Sequence, residues 1–416
     1  MRRPRWLGPY RLLDRIASGG MAETYLAERI TPDGAVHQVA IKRLLERFNA
    51  DEEFIVMLTD EARITGLLDH PNIAGVYEFG LVDEQHFLAM EFVDGADLRA
   101  TLRRCRERDE PLGPEASAFV VEQALRGLHA AHEAHDAHGR SLELVHRDFS
   151  PSNILLSARG EVKLIDFGIA KARLNRARTR AGVIKGKVKY MSPEQTAGKR
   201  LGPRSDVFAA GVVLYHAATG HLPFHAPHDA ALMVAIREQQ PDAPSSHGGG
   251  LDRRFDTVLE RALAKDPAAR YATAADFADA LSEWLRARDP DFEGRRVGQM
   301  IERIFARERG EARARFDDVD RSLPPDADGT PTHEMQNYTR LVDAGHFTGS
   351  GLLDPVADVD QWLARRRVGS TRPPAGDGAV WASDTGRAWD EADEDSTAGG
   401  DASDDTGVDL PDATGS

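Results

Sequence analysis

The stretch His146-Arg147-Asp148-Phe149-Ser150-Pro151-Ser152-Asn153-Ile154-Leu155-Leu156, continued after a turn at Ala158-Arg159-Gly160 by Val162-Lys163-Leu164-Ile165-Asp166-Phe167-Gly168, decides the fold. Its two apolar runs, joined by a turn containing glycine, read as a β-hairpin. Asn153 opens the first strand and Asp166 follows the second, so antiparallel pairing brings both to the same open end. A side-chain carbonyl beside a carboxylate suits a hard divalent cation such as Mg²⁺, which binds through few protein oxygens and keeps positions for phosphate. Asp148 lies just before this end, where it can accept a proton from a hydroxyl.

N-terminal to the hairpin, strand-like runs cover 10–16, 23–27 and 38–44, with Pro32-Asp33-Gly34 as a turn. A helix is expected over 54–68, where Phe54, Met57, Leu58, Ile64 and Leu68 make one apolar face. Glu61 falls on that stripe. A buried carboxylate needs a cation, and Lys42 is the candidate. Helical patterns dominate from 114 to 288, so the fold class is α+β, a small strand-rich lobe followed by a larger helical one. Val297, Met300, Ile301, Ile304 and Phe305 then recur at helical spacing in a charged stretch, an amphipathic helix expected to pack on the main domain. Beyond 321 the composition turns to Pro, Asp, Gly, Ser and Thr, interrupted by one short amphipathic candidate with Val356, Val359, Trp362 and Leu363. Disorder is expected from 368 onward.

The order His-Arg-Asp-x4-Asn, then Asp-Phe-Gly, then Ser192-Pro193-Glu194 resembles the eukaryotic-type serine/threonine protein kinase family over about 10–288. The loop Ser-Pro-Ser-Asn is closer to that family's serine/threonine type than to its tyrosine type. Gly19-Gly20-Met21 and Tyr190-Met191-Ser192-Pro193-Glu194-Gln195 look like the bacterial branch. The resemblance implies a two-lobed protein kinase fold, with an N-lobe at about 10–90 and a C-lobe at about 96–288. Residues 1–9 then form an N-terminal extension, 289–321 a helical extension, and 322–416 an acidic, mostly disordered region.

The resemblance further implies ATP and Mg²⁺ as cofactors and serine or threonine hydroxyls of proteins as acceptors. Asp148 takes the place of the catalytic base, Asn153 and Asp166 of the metal ligands, and Lys42, paired with Glu61, of the lysine on the α/β-phosphates. Met90 looks like the gatekeeper, and backbone groups of Glu91 and Val93 like the hinge contacts to adenine. Ile16, Gly19, Gly20, Thr24, Ala40 and Leu155 complete the implied nucleotide contacts. The resemblance also makes Glu194–Arg270 an ion pair and Asp206 a partner of the catalytic-loop backbone.

Several positions depart from the family pattern. Ala17 and Ala22 stand where the first and third glycines of the nucleotide loop are usual, which denies easy access to φ > 0 and predicts looser nucleotide handling. Ser150 replaces the usual lysine and Lys187 the usual threonine, so Lys187 is expected to neutralise the transferred phosphoryl group in the lysine's stead. Thr179, the sole hydroxyl-bearing residue between Gly168 and Gly186, is the autophosphorylation candidate, a reaction compatible with a homodimer. The rival readings are a pseudokinase-like nucleotide-binding scaffold and a small-molecule kinase.

Charge and composition agree with this class. The formal net charge is −15, yet 371–416 holds twelve acidic and two basic residues, and 171–189 is basic with no acid. A salt-sensitive contact between the two is one expectation, a merely solubilising tail the other. No long basic block suggests nucleic-acid binding. Cys105, the single cysteine, cannot form an internal disulfide. With no signal-peptide core and no apolar run long enough to span a membrane, a cytoplasmic protein is expected. His129, His132, His135 and His138 rotate around a helix axis and cannot all converge on a metal.

Overall fold

The computed structural model describes residues 5–30, 35–136, 138–167, 188–317 and 339–343. The N-lobe sheet is built from β1 (Arg5–Leu7), β2 (Tyr10–Ser18), β3 (Ala22–Ile30), β4 (Val36–Leu44), β5 (Val76–Val82) and β6 (Gln85–Glu91), with helix α1 (Glu52–Thr65) between β4 and β5. The strand order is β1-β2-β3-β4-β6-β5, and every neighbouring pair is antiparallel. Central β4 is buried from Val39 to Lys42 because apolar side chains cover both faces of the sheet. Leu58 and Met57 of α1 meet Phe79 and Leu88 on one face, while Tyr10, Ile41 and Phe87 pack on the other.

The Asp51 side chain caps α1 by accepting from Glu53 N–H. The helix stops at Thr65 rather than at the expected 68, because the chain tightens into i→i+3 bonds, Leu67 N–H to Ile64 O (3.1 Å) and Leu68 N–H to Thr65 O (3.0 Å). Leu68 nonetheless stays on the buried side, packed with Ile73, Ala131, Leu144 and Phe167 at the junction of the lobes.

The C-lobe follows through β7 (Gly95–Asp97), α2 (Leu98–Glu107), α3 (Pro114–His132) and the hairpin β8 (Ile154–Ser157) with β9 (Val162–Leu164). The expected hairpin is present in the register Ile154↔Leu164, Leu155↔Lys163, Leu156↔Val162. After it come α4 (Pro193–Thr196), α5 (Pro203–Thr219), α6 (Asp229–Glu238), α7 (Arg253–Ala262) and α8 (Ala274–Arg288). Cys105 is buried in this core. No described helix is long and apolar enough to cross a membrane.

Beyond α8, helices α9 (Gly294–Ile304) and α10 (Ala306–Asp317) and strand β10 (Thr339–Asp343) complete the described residues. The amphipathic stretch is α9, and its Val297, Ile301 and Ile304 are fully buried in the C-lobe core. Burying three such side chains stabilises by about 1.5–3 kcal/mol each, so the core continues past the expected boundary at 288. β10 pairs antiparallel with β5 and adds an edge strand from within the region expected to be mostly disordered. The turn 32–34, the candidate helix around 356–363 and the tail from 368 lie outside the described residues.

Replacing Ile301, which is fully buried, by alanine is expected to lower the unfolding free energy by about 2–4 kcal/mol in chemical denaturation. An unchanged midpoint would mean that α9 is not part of the cooperative core.

Candidate active site

Lys42 sits in mid-β4, opposite Thr24 on one side and Leu88 on the other, so the ladder fixes its backbone. Its Nζ lies 2.6 Å from Glu61 Oε1 and 2.7 Å from Asp166 Oδ1. One ammonium thus meets two carboxylates from two other elements, α1 and the segment after β9. Burial alone would lower the Lys42 ammonium, but the charges of Asp166 and Glu61 outweigh it and hold the group above its ordinary range. For Glu61 burial dominates and pushes the carboxyl up to about 7; Lys42 opposes the rise and the charge on Asp166 adds to it.

The hairpin brings Asn153 and Asp166 to one end, where Ile165 N–H donates to Asn153 O at 3.0 Å. Asn153 Nδ2 donates to Asp148 O (2.8 Å) and to Asp148 Oδ2 (3.0 Å), which orients the carboxylate and turns the amide oxygen away from it. Asn153 Oδ1 and the Asp166 carboxylate are an oxygen-only pair, the hard donor set a magnesium ion takes.

Arg147 (φ 64°) and Asp166 (φ 55°) are both in the left-handed region. Such a conformation costs a non-glycine residue about 1–3 kcal/mol and persists only where neighbours hold it. Asp206, on α5 and 1% exposed, holds the first. It accepts from His146 N–H (2.7 Å) and Arg147 N–H (2.8 Å), and its Oδ2 lies 2.8 Å from His132 Nε2. His132 is therefore committed to this clamp. His135 and His138 follow the end of α3. Lys42 holds Asp166 in turn, while Phe167 packs 4.9 Å from the His146 ring, centroid to centroid.

Glu194 and Arg270 form a buried two-bond pair at 2.8 and 3.0 Å, with Ser205 Oγ donating to Glu194 at 2.6 Å. Burial would raise the Glu194 carboxyl, but hydrogen bonds from Arg270 and Ser205 hold it below its ordinary range. Gln195, which closes a capping box with Ser192, also donates from Nε2 to Arg147 O (2.9 Å). The Ser-Pro-Glu segment is thereby tied to the catalytic loop.

The nucleotide-loop positions require a correction. Ala17 lies in β2, paired with Thr24, and Ala22 opens β3. Gly19 N–H bonds Ala22 O at 2.8 Å, and none of residues 17, 19, 20 and 22 has a positive φ. Alanine therefore carries no conformational penalty at either position. Ile16 is exposed, whereas Ala40 and Met90 face each other across β4 and β6. Leu155 pairs with Lys163 in the hairpin.

Glu91 contributes more than the expected backbone contact. Its carboxylate accepts from Lys163 Nζ (2.7 and 3.0 Å) and from Gly75 N–H (3.1 Å). Its own N–H donates to Gly75 O at 2.8 Å, which ties the end of β6 to the start of β5. Sequence reasoning missed Lys163, although a lysine between buried Val162 and Leu164 was the available signal. Ser150 Oγ lies 3.0 Å from Ser152 Oγ. Lys187 and Thr179 are outside the described residues.

The protein kinase domain family matches residues 10–282. Among curated relatives, the chain is 39% identical over 309 residues to the tyrosine-protein kinase MasK of Myxococcus xanthus, covering 74% of this chain and 48% of MasK. It is 36% identical over 271 residues to the serine/threonine-protein kinase PrkC of Bacillus subtilis, covering 65% and 39%. It is 37% identical over 291 residues to the serine/threonine-protein kinase PknA of Mycobacterium tuberculosis, covering 68% and 63%. The chain thus spans less than two thirds of the length of each of these relatives. Among solved structures it resembles the PknI kinase domain of M. tuberculosis at 28% identity and a TM-score of 0.51, covering 68% of this chain and 98% of that one.

The raised Glu61 carboxyl has a measurable consequence. Its contribution to stability is fully present below pH 4.5 and is lost as pH rises through about 7. In nucleotide-free protein, Tm of the native chain should therefore fall relative to that of Glu61→Gln across this window. A constant difference between the two would place Glu61 at an ordinary carboxylate value.

Proposed function

The chain belongs to the protein kinase domain family, and from that membership we propose that it transfers the γ-phosphoryl group of ATP to serine or threonine hydroxyls of proteins. The observation that carries this reading is the Lys42 ammonium held within 2.7 Å of both Glu61 and Asp166. That arrangement presents a fixed positive charge to the α/β-phosphates and a carboxylate to their metal. Asn153 and Asp166 would hold Mg²⁺, which when bound neutralises charge on the phosphate oxygens.

Asp148, oriented by the Asn153 amide, accepts the proton of the attacking hydroxyl. Ala40, Met90, Leu155 and Ile16 bound the adenine site, Glu91 O and Val93 N–H bind its edge, and Gly19, Gly20 and Thr24 line the phosphate side. Lys187 is assigned the charge that Ser150 lacks, and Thr179 is assigned autophosphorylation, one copy acting on another. The proposed setting is the cytoplasm.

MasK is named a tyrosine kinase, so tyrosine is the acceptor to test against. Asp148→Asn is expected to lower transfer of labelled phosphate to casein by about 10²–10⁴-fold. Acid hydrolysis of the product should yield phosphoserine and phosphothreonine. Phosphotyrosine alone would overturn the acceptor assignment, and equal incorporation by the native chain and Asp148→Asn would overturn the catalytic one.

A further inference from the structure

Gly294–Ile304 and Ala306–Asp317 (α9 and α10) lie beyond the residues that the family matches and are attached in two physically different ways. α9 is held by apolar burial and by very close backbone approach to the hairpin turn. A Cβ at Gly298 would lie 2.4 Å from Ala158 O, and one at Gly294 would lie 2.6 Å from Gly160 O. By contrast, no residue of α10 from Ala306 to Glu311 is buried. Ion pairs attach this helix: Glu308 meets Arg104 of α2, and Arg309 meets Asp94.

The second of these pairs reaches the proposed adenine site. Arg309 Nη1 and Nη2 donate to Asp94 Oδ1 (2.6 Å) and Oδ2 (2.8 Å), a two-bond fork, and Nη1 also approaches Asp94 O at 3.2 Å. Asp94 immediately follows Val93 in the link between β6 and β7. Its carbonyl accepts from Ala158 N–H at 2.9 Å, at the turn of the hairpin that ends in Asn153 and Asp166. On the far side Gly95 pairs with Ser157 and lies so close to β8 that a Cβ there would be 1.8 Å from Leu156 O. The link is thus pinned at Gly95 by contact with β8 and at Asp94 by the hairpin turn and Arg309.

We propose that Arg309 is a positioning residue for nucleotide binding, and that α10 is a clamp holding the 92–94 link in its adenine-binding conformation through Asp94. This rests on the kinase reading. Arg309 and Asp94 are 30% and 62% exposed, so solvent and salt screen the pair. A clamp made of such pairs gives a modest and reversible effect, whereas the apolar α9 stays attached.

Calorimetric titration of the full chain with ATP and Mg²⁺ tests this. Arg309→Ala and Asp94→Asn should each weaken ATP binding about three- to fivefold, with kcat at saturating ATP unchanged. Arg309→Lys, which keeps the charge without the fork, should fall between Arg309→Ala and the native chain. Arg307→Ala, which removes only a pair with exposed Glu311, should bind as the native chain does. Restoration of binding by the double exchange Arg309→Asp with Asp94→Arg would support the contact itself. Native affinity in both Arg309→Ala and Asp94→Asn would overturn the clamp, as would a loss in kcat and Tm with no change in affinity. A native chain that bound no ATP would instead overturn the kinase reading beneath it.

Discussion

A single ammonium group, Lys42 Nζ, joins three parts of the chain that are far apart in sequence. It draws together β4, helix α1 through Glu61, and the end of the catalytic hairpin through Asp166. Taking these charges out of water is expensive, and removing one partner of a buried pair leaves the other uncompensated. The arrangement therefore holds only where packing already brings the three elements together. Two features do this: the apolar contact of α1 with the sheet, and the cluster of Leu68, Ile73, Ala131, Leu144 and Phe167 between the lobes.

A second buried charge organises the other side of the site. Asp206 accepts two backbone N–H groups of the catalytic loop and pairs with His132. It thereby offsets the strained backbone at Arg147 and fixes where Asp148 stands. Gln195 and the Glu194–Arg270 pair carry that order into the Ser-Pro-Glu segment. The loop is thus held by hydrogen bonds that its N–H groups donate to a side chain of a buried helix, which fixes the position of the Asp148 backbone.

Much of this was legible from local pattern. Glu61 stood out as a carboxylate on an apolar helical stripe, and the hairpin placed Asn153 beside Asp166 by strand pairing alone. The Lys163–Glu91 and Arg309–Asp94 pairings were not legible, because each joins side chains far apart in sequence; the place of Lys163 between two apolar strand residues marks the lysine but not its partner. Ala17 and Ala22 differ from expectation for a related reason. Motif spacing suggested that glycine's freedom was needed, but both positions are extended backbone that any residue adopts. For the amphipathic stretch the pattern identified a helix; only the packing of Val297, Ile301 and Ile304 shows that it finishes the C-lobe core.

Lys42, Asp166 and Asn153 form one nucleotide and metal site in the proposed function, and every other role rests on it. A crystal structure of the full chain with a non-hydrolysable ATP analogue and Mg²⁺ tests that most directly. The expected result is Lys42 Nζ on the α/β-phosphates with its Glu61 contact kept, and the metal bound by Asn153 Oδ1 and the Asp166 carboxylate. A nucleotide bound with Lys42 still closed on Asp166, or a metal that engages neither residue, would contradict the account.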